Sequence, residues 1–277
     1  MVRVALCNEL LAAEGKSLAM QSRIAAELGY MGLELAPGTL GEIPHSLSDA
    51  AVFEIRETVE EHGLCVTGLH WLLAPYPHLS ITDPSVAAET REVLCGLIDL
   101  CARLGGAVLV HGSPAQRRPL PGDSAAETRN RVAEFFRPVA ATAESAGVVY
   151  CLEPLSPAET SFLNRVAEAA EIVEAIGSPN FRTMIDTSAA GQAEDAAVAD
   201  LIRTWVPTGL IGHIQVNDTN RGAPGMGHDP FNDILRALRD TGWNRPVAVE
   251  PFVIEGDATR TFAIGIETVK TAWEAAS

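Results

Sequence analysis

Strand-like and helix-like segments alternate eight times along this chain, and this alternation restricts its fold more than any other feature. Short apolar runs recur at spacings of roughly 30 to 40 residues, and each precedes a segment of helical periodicity. The predicted strands are 2–7, 32–36, 64–70, 107–111, 148–153, 181–186, 210–216 and 246–250. The predicted helices are 17–28, 48–62, 84–104, 123–146, 165–176, 195–206, 230–240 and 258–276.

Eight parallel strands joined by helices close most naturally into a (β/α)₈ TIM barrel of the α/β class. A single barrel of about 250 residues accounts for the length of 277 residues, and no linker or low-complexity segment interrupts the chain. We therefore expect one domain over residues 1–277. A doubly wound open sheet is the alternative, but no GxGxxG or Walker sequence follows a predicted strand.

Charge and hydropathy restrict the partners of the chain. The net charge of −16 disfavours nucleic acid, because phosphate binding requires clustered Lys and Arg. No apolar run approaches the roughly 18 residues that span a bilayer, so no membrane association is expected. The N-terminus lacks a signal-peptide pattern, and the five cysteines form no CxxC. These features predict a cytoplasmic protein of enzyme size with reduced thiols.

A polar residue lies at or near the carboxyl end of every predicted strand, although the surrounding positions are apolar. A lone glutamate at a strand end is usually just solvated, but eight polar ends in phase are harder to attribute to chance. The active site of a TIM barrel lies at the carboxyl ends of its strands, so these residues are expected to share one rim. They are Asn8 with Glu9, Glu34, His70, His111, Glu153, Asp186, Gln215 and Glu250.

The last four strand ends form a possible metal-ligand set. Glu153, Asp186, Gln215 and Glu250 all offer oxygen, which hard divalent cations prefer. Three clustered carboxylates would repel one another and raise each other's pKa values unless a cation lay between them. The expected cofactor is one divalent ion, Mn²⁺ or Mg²⁺, and Co²⁺ would also be tolerated.

Four motifs carry a resemblance to a known superfamily over nearly the whole chain. They are Glu153-Pro154-Leu155, Asp186-Thr187, Gly212-His213-Ile214-Gln215 running to Asn220-Arg221, and Glu250-Pro251-Phe252. In this order they resemble the xylose-isomerase-like superfamily, and within it the ketose 3-epimerases and the hydroxypyruvate isomerases. The resemblance implies that Glu153, Asp186, Gln215 and Glu250 bind one metal ion. It also implies that Glu153 and Glu250 exchange a substrate proton on opposite faces of one carbon, and that the protein is a homo-oligomer.

The resulting prediction is a metal-dependent sugar isomerase or epimerase that acts on a ketose or small keto-sugar through an enediolate. A bound cation polarises the carbonyl, and a carboxylate on each face removes or returns the proton. A lyase on the same scaffold, either a dehydratase or a 3-oxo-glycoside deglycosidase, is the main alternative, because β-elimination begins with the same proton abstraction. A non-catalytic sugar-binding protein is a third class, but binding alone does not require two bases.

The substrate positions match the resemblance only in part. Glu159 and Arg221 match the epimerases' substrate-contacting residues. The 3-epimerases usually carry histidine where this chain has Gln215, whereas hydroxypyruvate isomerases are similar to this chain in using glutamine. The epimerases also place a substrate-binding histidine where this chain has Ala189. The metal and proton chemistry are therefore supported more strongly than any particular sugar.

Histidines and a basic pair near the rim are further candidates for substrate binding. His70 and His111 end the third and fourth strands, and each is expected to contact a substrate hydroxyl. Apurinic-site endonucleases of this superfamily place zinc ligands at these two ends, but the further histidines that they need are missing here. Arg117 and Arg118 follow the fourth strand and leave a phosphorylated or acidic substrate open.

Overall fold

A computed structural model of the protein describes residues 1–276, and its centre is a closed barrel of eight parallel strands. Each strand pairs with the next one in sequence, and the first also pairs with the eighth. The strands are β1 (Val4–Cys7), β2 (Gly32–Leu35), β3 (Cys65–Leu69), β4 (Val108–His111), β5 (Val149–Leu152), β6 (Phe181–Asp186), β7 (Ile211–Val216) and β8 (Val247–Val249). The predicted (β/α)₈ barrel is confirmed.

Ten α-helices connect these strands within residues 1–276. They are α1 (Glu9–Ala13), α2 (Leu18–Leu28), α3 (Asp49–Glu60), α4 (Ala87–Arg103), α5 (Ala125–Ala146), α6 (Val166–Ile176), α7 (Thr187–Ala193), α8 (Val198–Trp205), α9 (Phe231–Asp240) and α10 (Ala258–Ala275). All eight predicted helices are present, with shifted ends. None of the helices in the described chain is long and apolar enough to cross a membrane.

Local capping chemistry explains where the predicted helix ends moved. The long helix expected from residue 84 begins at Ala87, because Asp83 accepts hydrogen bonds from the backbone and hydroxyl of Ser85 and holds a turn there. Helix α5 begins at Ala125, where Ser124 and Glu127 form a reciprocal capping box. The serine rather than the preceding aspartate therefore marks the helix start.

Two short helices, α1 and α7, were missed by the sequence analysis. Each follows a strand directly at the rim of the barrel. Asp186 is the N-cap of α7, and its carboxylate accepts the backbone N–H of Ala189. Both helices are too short to show a helical repeat, so their sequences resemble ordinary loops.

The apolar core has an outer layer between barrel and helices and a small interior. Val110, Cys151 and Met184 fill one part of the barrel interior, and Ala5, Cys7 and Ala248 fill another. Side chains alternate along each strand, so the intervening residues face the helices. The polar strand ends gather at the carboxyl end of this interior.

Candidate active site and metal centre

Three carboxylates meet at the carboxyl ends of β5, β6 and β8. Glu153 and Glu250 each follow the last residue of a strand, and Asp186 ends β6. Each side chain is buried, and each offers one oxygen that lies within 4.8 Å of the oxygens of the other two. The structure thus brings together three of the four predicted metal ligands.

Burial and mutual repulsion make these carboxylates costly to ionise together without a cation. Burial, followed by the charge of Asp186, raises the pKa of Glu153 well above its ordinary value. Burial and then Glu153 raise the pKa of Glu250 in the same way. Burial raises the pKa of Asp186 to about 6, although backbone N–H groups partly oppose the shift. A divalent cation between the three groups would remove this penalty.

Gln215 has the geometry expected of a fourth oxygen donor. It is paired in register with Asp186 on the neighbouring strand. Its amide nitrogen donates to the Glu34 carboxylate at 2.9 Å, which leaves its carbonyl oxygen buried without a hydrogen-bond partner. Oδ2 of Asp186 is unpartnered as well. Two buried acceptors without donors fit a site that holds a cation.

Glu34 and His213 form a polar floor beneath this set. Glu34 is completely buried, and its Oε2 lies 2.9 Å from Nε2 of His213, although the two groups are not aligned as a hydrogen bond. Burial alone would raise the pKa of Glu34, but His213, followed by His70 and the Gln215 amide, outweighs burial and lowers the pKa. Glu34 lies below the rim. Because it accepts a hydrogen bond from the Gln215 amide, it fixes the orientation of that amide.

His70 connects the carboxylate triad to a fourth acid, Glu9. Nε2 of His70 lies 2.7 Å from Glu9 and 3.9 Å from Glu250. Burial lowers the pKa of His70, but the adjacent Glu9 carboxylate outweighs it and the net shift is upward. Glu9 keeps its second oxygen buried and unpartnered. The structure thus brings His70 to the site, together with an acid to which the sequence analysis gave no role.

Glu159 and Arg221 form an ion pair at 3.1 Å. The guanidinium carbon of Arg221 lies 4.3 Å from the centroid of the Phe252 ring, and Phe252 stacks on Trp71 at 5.9 Å. Glu159 and Arg221 follow different strands, so the barrel brings these two predicted substrate residues together. The result is a continuous wall from Glu159 to Trp71.

Strained backbone supports a functional role for this wall. Within residues 1–276, only Trp71, Leu163 and Arg221 are non-glycine residues with positive φ, at 53°, 62° and 68°. Two of the three flank the triad. The carbonyl of Arg221 accepts the backbone N–H groups of Phe252 and Val253, which holds the strained segment in place. Such conformations persist where surrounding contacts enforce them, and they cluster at functional sites.

His111 does not join the site. Its ring packs against Phe136 of α5 and Tyr150 of β5, and its Nδ1 lies 2.7 Å from the Tyr150 hydroxyl. It therefore faces the helical layer, since residues of one strand alternate between the two faces. Burial and then Arg117 lower the pKa of His111 well below its usual value. The predicted contact between His111 and a substrate hydroxyl is therefore not part of the proposed site.

Arg117 is likewise unavailable to a substrate. It is fully buried, and its guanidinium donates to the backbone carbonyls of His111 and Glu153, both at 2.6 Å. Burial lowers its pKa to about 10. Arg117 instead joins the ends of β4 and β5. The expectation that this arginine could recognise a phosphorylated or acidic substrate is therefore wrong.

Two residues that shape the site were missed by the sequence analysis. A Cβ on Gly112 would lie 1.8 Å from Oε2 of Glu153, so only glycine leaves room for the carboxylate as it lies here. Asn217 donates to the Glu250 carbonyl and accepts the backbone N–H of Ser188, which ties β8 to α7. Its position two residues after Gln215, on the same face of the chain, was the signal available in the sequence.

The chain belongs to the xylose isomerase-like TIM barrel family, whose signature matches residues 22–272. The D-psicose 3-epimerase of Agrobacterium fabrum is 31% identical over 242 residues, which cover 83% of this chain and 78% of that enzyme. The predicted superfamily is therefore confirmed. The predicted class is confirmed as well: the protein is an isomerase or epimerase enzyme.

Solved structures share the fold across different chemistries. A 3-keto-D-glucoside 4-epimerase from E. coli superposes with a TM-score of 0.80 at 20% identity, over 98% of this chain and all of that chain (100%). An AP endonuclease of family 2 from Brucella melitensis superposes with a TM-score of 0.79 at 19% identity, over 95% and 97%. At these identities the likeness shows the fold alone, and the reaction has to be argued from the site.

Proposed function

We propose that this protein is a divalent-metal-dependent epimerase or isomerase of ketoses, and that it moves a proton next to the carbonyl through an enediolate. The observation that carries the proposal is the buried triad of Glu153, Asp186 and Glu250, whose oxygens lie within 4.8 Å of one another. The relatives named D-psicose 3-epimerase favour epimerisation at the carbon next to the ketone over isomerisation.

Glu153, Asp186, Gln215 and Glu250 would hold the metal ion, with Mn²⁺ or Mg²⁺ as the expected species. When bound, the cation polarises the substrate carbonyl and stabilises the negative charge that develops beside it. The donor set is entirely oxygen, which suits these hard cations better than zinc. The unpartnered oxygens of Asp186 and Gln215 support this assignment.

Glu153 and Glu250 have complementary roles in the proposed reaction. One carboxylate removes the proton from the carbon next to the carbonyl, and the other delivers a proton to the opposite face of the same carbon. Epimerisation follows from this exchange of faces, and isomerisation follows if the proton returns to the neighbouring carbon. Burial and neighbouring carboxylates raise the pKa values of both glutamates, and shifts of this kind are typical of groups that exchange protons at an active site.

The flanking residues orient the sugar in this proposal. Arg221, held by Glu159 and by the Phe252 ring, presents N–H donors at one side of the triad. His70 lies between Glu250 and Glu9 at the other side, where its imidazole can contact a substrate hydroxyl. Fixed donors on two sides hold the reacting carbon between the two glutamates.

Deuterium exchange tests the proposed reaction. The protein is loaded with Mn²⁺ and incubated with a panel of ketoses in deuterated water, and recovered sugars are analysed by NMR and mass spectrometry. Solvent deuterium is expected at the carbon next to the carbonyl, together with the epimeric ketose. Loss of a leaving group from a 3-oxo-glycoside, without exchange into recovered ketose, would replace the proposal by the lyase alternative.

Substitution of the two bases tests the assignment of roles. Glu153→Gln and Glu250→Gln should each lower kcat by about 10²- to 10⁴-fold, because an amide cannot accept the proton. Glu57→Gln, on the exposed face of α3, is the matched control and should leave kcat unchanged. Near-normal turnover by either site variant would contradict the two-base scheme.

A further inference from the structure

An open cavity lies beside the carboxylate triad, above the ends of β1, β2 and β3. Its volume is about 740 Å³. We call it the side cavity; its wall includes Asn8, Glu9, Ala13, Lys16, Trp71 and Pro75. The triad residues do not line it. Glu9 links its wall to the triad, because one oxygen of Glu9 lies within 4.8 Å of one oxygen of Glu250.

The side cavity is larger than a single sugar requires. A water molecule occupies about 30 Å³ in the liquid, so a ketohexose with about a dozen non-hydrogen atoms needs no more than about 360 Å³. The volume of about 740 Å³ is roughly twice that bound. The site therefore has room for a second ring beyond the unit that reacts.

The charges on the wall of the side cavity are compensated within the protein. Glu9 and Lys16 are the two charged residues that line it. Glu9 is paired with His70 at 2.7 Å, and Lys16 is paired with Glu14. A phosphate or an ammonium group would find no uncompensated partner here, so the chemistry favours a neutral ligand.

One group on the wall suits a hydroxylated ring. Trp71 stacks on Phe252 on one side and is 37% exposed, which leaves indole surface free for the apolar face of a pyranose. An aromatic platform of this kind matches a neutral glycosyl unit.

We propose that the side cavity is a subsite for a second, neutral sugar ring, so that the preferred substrate is a glycosylated ketose rather than a free monosaccharide. The inference rests on the proposed function, because the ketose end of such a molecule is the part that reacts at the triad. The glycosyl ring lies against the free face of Trp71.

Substrate comparison is the first test. Proton exchange and epimer formation are measured with a free ketohexose, with ketodisaccharides that carry a glucosyl unit at each hydroxyl remote from the carbonyl, with a ketose phosphate and with an amino-acid-linked ketose. At least one ketodisaccharide should show a kcat/KM tenfold or more above that of the free ketose. Equal values, or a preference for the phosphate or the ammonium compound, would overturn the inference.

A cavity-filling variant is the second test. Ala13 is exposed and lines the side cavity, so Ala13→Phe should lower the ratio of ketodisaccharide to free-ketose kcat/KM by tenfold or more. Ala19→Phe, on the exposed part of α2 and outside the cavity lining, is the matched control and should leave the ratio unchanged. An unchanged ratio in Ala13→Phe would contradict the subsite.

The two proposals can fail separately. Exchange into free ketoses without preference for ketodisaccharides would retain the proposed function and reject the subsite. Saturable binding of a ketodisaccharide that Ala13→Phe weakens, without exchange into any sugar, would retain the subsite and reject the proposed reaction. Neither binding nor exchange would reject both.

Discussion

At the scale of single residues, Gly112 leaves the space that the Glu153 carboxylate occupies. The nearest atom to a Cβ built at this position is Oε2 of Glu153, at 1.8 Å. Gly112 is not among the glycines with positive φ, so alanine can adopt its backbone conformation. Gly112→Ala should therefore fold, while the flexible end of Glu153 is pushed out of the triad.

We expect Gly112→Ala to weaken Mn²⁺ binding by about 10- to 100-fold, which is the usual cost of disturbing the surroundings of a metal ligand. Isothermal titration calorimetry measures the affinity, and thermal unfolding of the metal-free protein controls for a general loss of structure. If the affinity were unchanged, the Glu153 carboxylate would not be a ligand in the position described here.

The scale of elements explains how the strand ends are held in position. Arg117, in the loop after β4, donates to the last carbonyl of β4 and to the carbonyl of Glu153. It adds to the last backbone hydrogen bond between the two segments, which the Glu153 N–H donates to the His111 carbonyl. Two β-bulges also affect the strand ends. The β2–β3 pairing shifts between Leu33 and Glu34, and the β6–β7 pairing shifts between Thr183 and Met184. A bulge changes the direction of the side chains that follow it.

Arg117→Lys should lower the free energy of unfolding by about 1.5–3 kcal/mol, because a lysine ammonium cannot reproduce the planar fork that spans two carbonyls. Arg118→Lys is the matched control, since Arg118 is exposed and adjacent, and it should change the stability by less than about 0.5 kcal/mol. Chemical denaturation measures both values. Equal effects of the two variants would mean that the carbonyl contacts of Arg117 contribute no net stability.

At the scale of the whole molecule, the triad should destabilise the metal-free protein as pH rises. Burial raises the pKa of Asp186 from 3.8 to about 6, so in that window the folded state binds more protons than the unfolded state. The contribution of Asp186 to stability is present below its unfolded-state pKa, and it is lost as pH rises through its folded-state pKa. Metal binding also requires deprotonated ligands. The gain in Tm on adding Mn²⁺ should therefore be larger at about pH 7 than at about pH 5.

The variant Asp186→Asn tests whether the triad destabilises the metal-free protein. In metal-free protein at neutral pH this variant should have a higher Tm than the parent, because one buried repelling charge is gone while the amide oxygen can still accept the Ala189 N–H. Its Tm gain with Mn²⁺ should be largely lost. Asp195→Asn is the control, since Asp195 is an exposed partner of Arg165 and lies outside the triad. A lower metal-free Tm for Asp186→Asn would show that the triad is not strained without a cation.

The sequence alone was sufficient for the barrel and for the grouping of its three buried carboxylates. Repeated apolar runs with helical segments between them determine eight parallel strands, and the Glu-Pro pairs mark two strand ends. Because parallel strand ends converge on one rim, Glu153, Asp186 and Glu250 could be grouped before their distances were known. Gln215 was selected because it lies near the end of the seventh predicted strand, and its ligation remains a prediction.

Only the tertiary structure decided which polar residues face the site and which hold it together. His70 and His111 end consecutive strands with similar sequence signals, yet one contacts Glu9 and Glu250 while the other packs on α5. A single residue of register moves a side chain to the other face of a strand, and the pattern does not specify the register at the rim. The burial of Arg117, the space at Gly112 and the side cavity likewise depend on contacts between segments far apart in sequence. Local pattern determines the strands and helices, whereas the distances between their ends are set by packing.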